Sequence, residues 1–234
     1  KLITIIFGLM TLHPEFILQS RSPWNPVLAP PFLIAGFIFL EELLDKFSEK
    51  KEWLTMLFLA IAISLTYSLA PTVLILLLFY AWKQKNILKS IKTAAKLGVS
   101  LLLTNLPIIA FEFRHGFLLS RSVLSQEPLQ TAALSIEKLS KLASLPLAVS
   151  TIWVVLILAI MLGLLLFSKK NKNIKSIAIV LATVFLVQYF LPFKTHSHYI
   201  FGITSLFLIL IAKINSKTIQ GLLIVILLFS WVNP

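Results

Sequence analysis

The sequence has no cysteine and few charged residues. Without a thiol, the chain can form no disulfide, no thiolate metal site and no cysteine nucleophile. Charged residues make up 13% of the chain and hydrophobic residues 58%, whereas a soluble domain has roughly 25% and 45–50%. Apolar runs recur along the whole length, with no long polar domain between them. This pattern excludes a soluble globule and predicts an all-α integral membrane protein.

The apolar runs predict about nine transmembrane segments in one transmembrane domain, residues 1–234. The run from Trp53 to Trp82 is too long for one span and contains Pro71. Because proline disfavours continuation of a helix, we predict two short paired helices there; the alternative is one long kinked helix. The predicted spans are 2–12, 27–44, 53–65, 71–82, 97–113, 147–167, 177–193, 200–212 and 218–231.

Three stretches between the spans are predicted to be loops. Residues 45–52 and 83–96 are short and rich in lysine. Residues 114–146 form the longest stretch that is not apolar, and we predict an extracytoplasmic loop there. Its middle, 131–142, has leucine and isoleucine at helical spacing, which predicts an amphipathic helix lying on the membrane surface.

Alternating the predicted spans separates the basic residues into two groups. Fifteen lysines fall on one side, which the positive-inside rule assigns to the cytoplasm. The scattered lysines do not form one patch, so the net charge of +12 does not predict nucleic-acid binding. The recurring spans and the separation of the lysines predict a multi-pass protein of the plasma membrane. The outer side holds all arginines and histidines: Arg21, Arg114, Arg121, His13, His115, His196 and His198.

An outer face that holds all the arginine and histidine is typical of a site for anionic groups, because the planar guanidinium binds phosphate oxygens in pairs. Each group of outer residues also has a structural interpretation. These are a stiff turn before the second span around Arg21, an ion pair that ends a helix around Arg114, and an ordinary polar turn around His196 and His198. His196 and His198 lack an evident third ligand, so we predict no metal site, although a divalent cofactor stays open. The predicted donor-binding residues are Arg21, Asn25, Tyr67, Arg114, His115, Lys194, His198 and Tyr199.

Four motifs occur in a characteristic order along the chain. They are Ser20-Arg21-Ser22-Pro23-Trp24-Asn25-Pro26, Thr66-Tyr67-Ser68, the segment 111–117 (Phe-Glu-Phe-Arg-His-Gly-Phe), and His198-Tyr199. In these motifs, over about residues 15–210, the chain resembles bacterial glycosyltransferase family 39 and the related dolichyl-phosphate-mannose–protein mannosyltransferase-like proteins of the GT-C superfamily. The chain departs from the pattern at Thr66, where relatives often have histidine.

The resemblance implies a membrane enzyme that takes a sugar from a polyprenyl phosphate. The sugar would pass to a protein, lipid or glycan acceptor on the extracytoplasmic side. The family's catalytic acid normally lies in the first outer loop. The sequence begins at Lys1 without a methionine, so we interpret it as an N-terminally truncated fragment and expect that acid upstream. Glu112 is a secondary candidate for the base.

Two other classes of function remain open. A flippase or polysaccharide transporter would also be polytopic and basic, but should place charged residues along a path through the membrane. The middle parts of the predicted spans are nearly free of charge, which counts against this class. A non-catalytic scaffold would not need arginine and histidine on the outer side.

Overall fold

The computed structural model describes residues 2–14, 17, 28–118, 120, 121, 141, 172–190, 201–214 and 216–232. Every regular element in these ranges is helical, which confirms the all-α class. The predicted span 147–167 and nearly all of the predicted amphipathic helix lie outside the described residues. The helices are α1 Leu2–Leu12, α2 Ala29–Asp45, α3 Glu49–Leu65, α4 Ala70–Gln84, α5 Ile87–Arg114, α6 Lys172–Phe190, α7 Phe201–Ala212 and α8 Lys217–Val232, with a 3₁₀ turn at Tyr67–Leu69.

The predicted break in the run 53–82 is confirmed. Helix α3 ends at Leu65, and Thr66 is extended, with φ −154°. A 3₁₀ turn follows, and Pro71 lies in the first turn of α4, where its missing N–H has no helical partner to lose. The Thr66 and Ser68 hydroxyls are 2.9 Å apart and hydrogen-bonded, which holds the turn closed.

The two predicted basic loops are shorter than expected. Helix α3 begins at Glu49 and α5 at Ile87, so the predicted loop 83–96 is wrong for most of its length. The Asn86 side chain accepts a hydrogen bond from the Lys89 backbone N–H at 3.0 Å, a helix cap that satisfies one of the first free N–H groups. Lysine itself is a good helix former, so a lysine-rich stretch need not be a loop.

Helix α5 is long and apolar enough to span a membrane, and within the described residues it is the one helix that passes this test. Its 28 residues would reach about 42 Å. Its buried residues are polar, namely Thr93, Ser100 and Glu112, while leucines such as Leu102 and Leu106 are exposed. A helix with polar groups inward and apolar groups outward suits a lipid surround. The remaining predicted spans stay a prediction.

Helix α7 is the centre of the packing among the described helices. All its residues from Gly202 to Ile211 are buried, and it contacts α1, α2, α6 and α8. At its start it approaches α4 closely, because a Cβ added at Gly202 would lie 2.3 Å from Thr72 Oγ1. Glycine at this position is therefore a packing requirement, and it brings the starts of α4 and α7 together.

Helices α3 and α5 run parallel, with α4 as the return connection between them. Near their starts, Lys96 Nζ lies 2.5 Å from Glu52 Oε2. Farther along both helices, Thr104 Oγ1 lies 2.7 Å from Ser64 Oγ. The two helices are therefore in register, and their first turns lie at the same end of the bundle.

Ion pairs gather at that end, which we call the basic end. Here Lys51 Nζ lies 2.5 Å from Glu42 Oε2, and Lys213 pairs with Glu41, which ties the turn after α7 to the end of α2. The opposite end of the bundle is where α3, α5 and α8 finish. The topology brings to the basic end many of the lysines that were assigned to the cytoplasmic side, among them Lys46, Lys50, Lys51, Lys83, Lys85, Lys89, Lys92, Lys96, Lys213 and Lys217.

Candidate functional site

A polar network joins α3, α5 and the 3₁₀ turn on the side of the opposite end. Asn105 Nδ2 donates to Ser64 Oγ at 2.8 Å and to the Leu101 carbonyl at 2.8 Å. The Tyr67 hydroxyl donates to Asn105 Oδ1 at 3.2 Å. Tyr67 is nevertheless 62% exposed, so one predicted donor-binding residue presents its ring at the surface while its hydroxyl is anchored.

Sequence reasoning missed the partners of Tyr67. Ser64, Thr104 and Asn105 lie inside predicted spans, and polar residues inside a membrane span are a recognised signal of function or of helix packing. The dipeptide Thr104-Asn105 in the apolar run 97–113 was the signal that would have found this network.

The end of α5 is closed by a left-handed turn. Gly116 has φ +63° and Phe117 φ +62°, and the Phe117 N–H donates to the Glu112 carbonyl at 2.8 Å. This is the Schellman pattern, in which glycine takes the left-handed position after the helix. The turn leaves the predicted site residues Arg114 and His115 exposed.

His115 is held against the preceding turn of its own helix. Its ring stacks on Phe111, with centroids 4.1 Å apart, and its Nδ1 lies 2.9 Å from the Phe111 carbonyl oxygen. If Nδ1 carries the proton and donates this bond, Nε2 is the nitrogen that can accept. The histidine can therefore accept from a ligand hydroxyl or, when protonated, donate to a phosphate oxygen.

Glu112 has a structural role in this geometry. The residue is buried, and its Oε2 accepts a hydrogen bond from the Ser120 backbone N–H at 2.9 Å and another from the Ser120 hydroxyl. The carboxylate therefore fastens the chain after α5 back onto the helix.

The structure places part of the predicted site. Tyr67, Arg114 and His115 share the opposite end, and Asn105 lies nine residues before Arg114 on α5, a rise of about 13 Å. His13 belongs to the same end, since its ring packs 5.2 Å from that of Trp231 at the end of α8. In the described part of the chain, no group of three or more metal-ligating side chains comes together. The predicted residues Arg21, Asn25, Lys194, His198 and Tyr199 lie outside the described residues.

Comparisons with protein-family models, with curated proteins and with solved structures found no match. The resemblance to glycosyltransferase family 39 therefore stays a prediction based on the motifs alone.

Proposed function

We propose that this chain is the donor-binding part of a multi-pass membrane glycosyltransferase that uses a polyprenyl-phosphate-linked sugar. One observation carries the proposal: Arg114 and His115 are exposed at the same end of α5 as the anchored Tyr67–Asn105 pair. The cationic site lies at the end of α5, and the hydroxyl–amide site joins Asn105 of α5 to Tyr67 of the 3₁₀ turn. Their separation of about 13 Å along the axis of α5 suits a ligand with a phosphate at one end and hydroxyls near the other. The charge asymmetry between the two ends supports an extracytoplasmic site.

The chemistry follows from the charges. The acceptor hydroxyl oxygen bonds to the sugar carbon from the side opposite the phosphate, the carbon–oxygen bond to the phosphate breaks, and a carboxylate takes the hydroxyl proton. Negative charge develops on the departing polyprenyl phosphate, and Arg114 stabilises it with paired N–H donors. The donors of Tyr67 and Asn105 are already engaged, so the Tyr67 hydroxyl oxygen and Asn105 Oδ1 would accept hydrogen bonds from sugar hydroxyls. Glu112 is already engaged by Ser120, so the proposal assigns the base elsewhere.

Transfer from a polyprenyl-linked donor tests the proposal. In membranes containing the full-length protein, Arg114→Ala should lower the rate at least about 10²-fold, the usual effect of removing one donor to a developing oxyanion. Arg114→Lys should retain part of the rate, since it keeps the charge and loses the paired geometry. Lys217→Ala, at the basic end, is the charge-matched control and should be unaffected. Wild-type transfer by Arg114→Ala would refute the proposal.

A second candidate is a flippase or transporter for the same class of lipid-linked sugar. It is favoured by the polar face of α5, where Thr93, Ser100, Thr104 and Asn105 form a row from the buried Glu52 toward the opposite end. Polar groups along one path through a bundle are typical of transporters. Movement of a labelled lipid-linked sugar between leaflets of proteoliposomes, without transfer to an acceptor, would favour this candidate; transfer without movement would exclude it.

A further inference from the structure

A cavity of about 550 Å³ lies at the basic end, remote from Arg114 and His115. It lies between the first turns of α3 and α5, which run parallel. Glu49 is the first residue of α3, and Asn86 is the cap of α5, and both line the cavity. The partial positive charge at the start of a helix favours anions, and residues at the starts of two helices line this one cavity.

The side chains of the cavity add a positive charge that is not neutralised. Lys89, Lys92 and Lys96 line it together with Glu49 and Glu52. Lys96 is engaged by both carboxylates, since its Nζ lies 2.5 Å from Glu52 Oε2 and 3.4 Å from Glu49 Oε1. The two glutamates therefore share Lys96. Lys89 and Lys92 remain against the second negative charge, which leaves one positive charge in excess.

Lys89 and Lys92 differ in what holds them. Lys89 Nζ donates to Gln84 Oε1 at 3.0 Å and lies 3.7 Å from the centroid of the Phe47 ring, so two contacts hold it in place. Lys92 lines the cavity, is exposed, and makes no hydrogen bond or ion pair with any residue that the structure describes. Lys92 is therefore the cation available to an incoming anion, with Lys89 beside it.

Exposed apolar side chains adjoin the cavity. Phe47 and Leu88 line it and are exposed, and Ile87 and Ile91 on the same turns of α5 are exposed as well. Exposed apolar side chains around a basic pocket match the boundary between lipid head groups and acyl chains. A soluble anion would gain nothing from contact with these apolar side chains, whereas a lipid would place its acyl chains against them.

We propose that this cavity binds the phosphate group of an anionic membrane lipid, with Lys92 and Lys89 as its charged partners and the exposed residues of α5 against its acyl chains. Basic pockets between helices at the cytoplasmic surface bind anionic head groups by this chemistry. The inference rests on α5 lying in a membrane and is independent of the proposed transferase activity, because no residue of the opposite end takes part.

Lipid binding to the whole chain, purified in a neutral detergent, tests the site. Native mass spectrometry would measure the apparent Kd for phosphatidylglycerol and for phosphatidylcholine, and thermal unfolding would measure the stabilisation by each lipid and by inorganic phosphate. Lys92→Gln removes the free cation without removing a described contact. Lys50→Gln is the matched control, because it removes the same charge at the same end from an exposed residue outside the cavity.

The wild type should bind phosphatidylglycerol more tightly than phosphatidylcholine. Lys92→Gln should weaken phosphatidylglycerol binding about fivefold, as expected for one lysine at an anionic surface, and Lys50→Gln should leave it unchanged. An equal loss in both variants would overturn the site, because it would assign the effect to the diffuse field of the basic end. Stabilisation by inorganic phosphate with none by phosphatidylglycerol would overturn the lipid as the source of the phosphate.

Discussion

The buried carboxylate of Glu52 should make a large contribution to stability, and its neighbour Glu49 a small one. Glu52 Oε2 lies 2.5 Å from Lys96 Nζ, and its Oε1 accepts a hydrogen bond from Thr93 at 2.5 Å. The Glu52 side chain is 3% exposed, and that of Lys96 15%. Glu49 approaches the same lysine at 3.4 Å with 74% of its side chain exposed. Because both glutamates contact Lys96, Glu52 provides the test and Glu49 its control.

The perturbation is Glu52→Gln, which keeps the size of the side chain and removes its charge. Removing one partner of a buried ion pair costs about 3–5 kcal/mol, because the other charge stays buried without compensation. Since Lys96 retains some access to water and its longer contact with Glu49, we expect a smaller loss of about 2–3 kcal/mol in the free energy of unfolding. Glu49→Gln should cost less than about 0.5 kcal/mol, the usual value for an exposed pair. Both glutamates lie in the first turn of α3, so the helix-dipole contribution is similar in the two variants.

Denaturant unfolding in detergent, followed by helical circular dichroism, measures both losses. The double variant Glu52→Gln with Lys96→Met should recover part of the stability, with a coupling of about 1–3 kcal/mol between the two sites. If Glu52→Gln and Glu49→Gln destabilise the protein equally, this ion pair does not hold α3 against α5. An additive double variant would lead to the same conclusion.

Three further outcomes can be checked by the same unfolding measurement. Gly202→Ala should cost about 1–3 kcal/mol, because the new methyl group meets Thr72, whereas Gly98→Ala, with no atom near the added carbon, should stabilise α5 slightly; equal effects would contradict the close packing of α4 and α7. Gly116→Ala should cost about 1 kcal/mol through its left-handed φ, and an unchanged stability would show that the turn is not formed. Asn105→Ala should cost about 1–2 kcal/mol through lost hydrogen bonds; a neutral effect would mean that the network is not made.

Local chemistry made several elements predictable. Pro71 ended the continuity of the run 53–82, and the structure has two helices there, with bounds close to those predicted. The lysine-rich composition of 83–96 predicts a loop, yet α5 begins at Ile87. Asn86, a strong helix cap, carried the correct signal in the sequence, and Lys89, Lys92 and Lys96, three and four residues apart, fall on one helical face.

The contacts between helices could not be predicted from local patterns in the sequence. Ser64 meets Thr104 and Asn105 across about 40 residues of chain, and this meeting depends on α3 and α5 running parallel in register. The same register brings Lys96 to Glu52 and leaves Lys92 without a described partner. No local pattern specifies such a register, since it follows from how the apolar faces of several helices fill space together.

Composition, proline chemistry and the order of residues along the chain were enough to predict the helical class, the break before Pro71 and the unequal distribution of lysine against arginine and histidine. Which polar groups meet depends on how the helices pack in three dimensions. This packing buried Glu52 and Glu112, left Arg114 and His115 exposed, and formed a cavity between two helix starts. The physical reason is that burial and ion pairing depend on distance in space, and packing brings together side chains that the sequence keeps far apart.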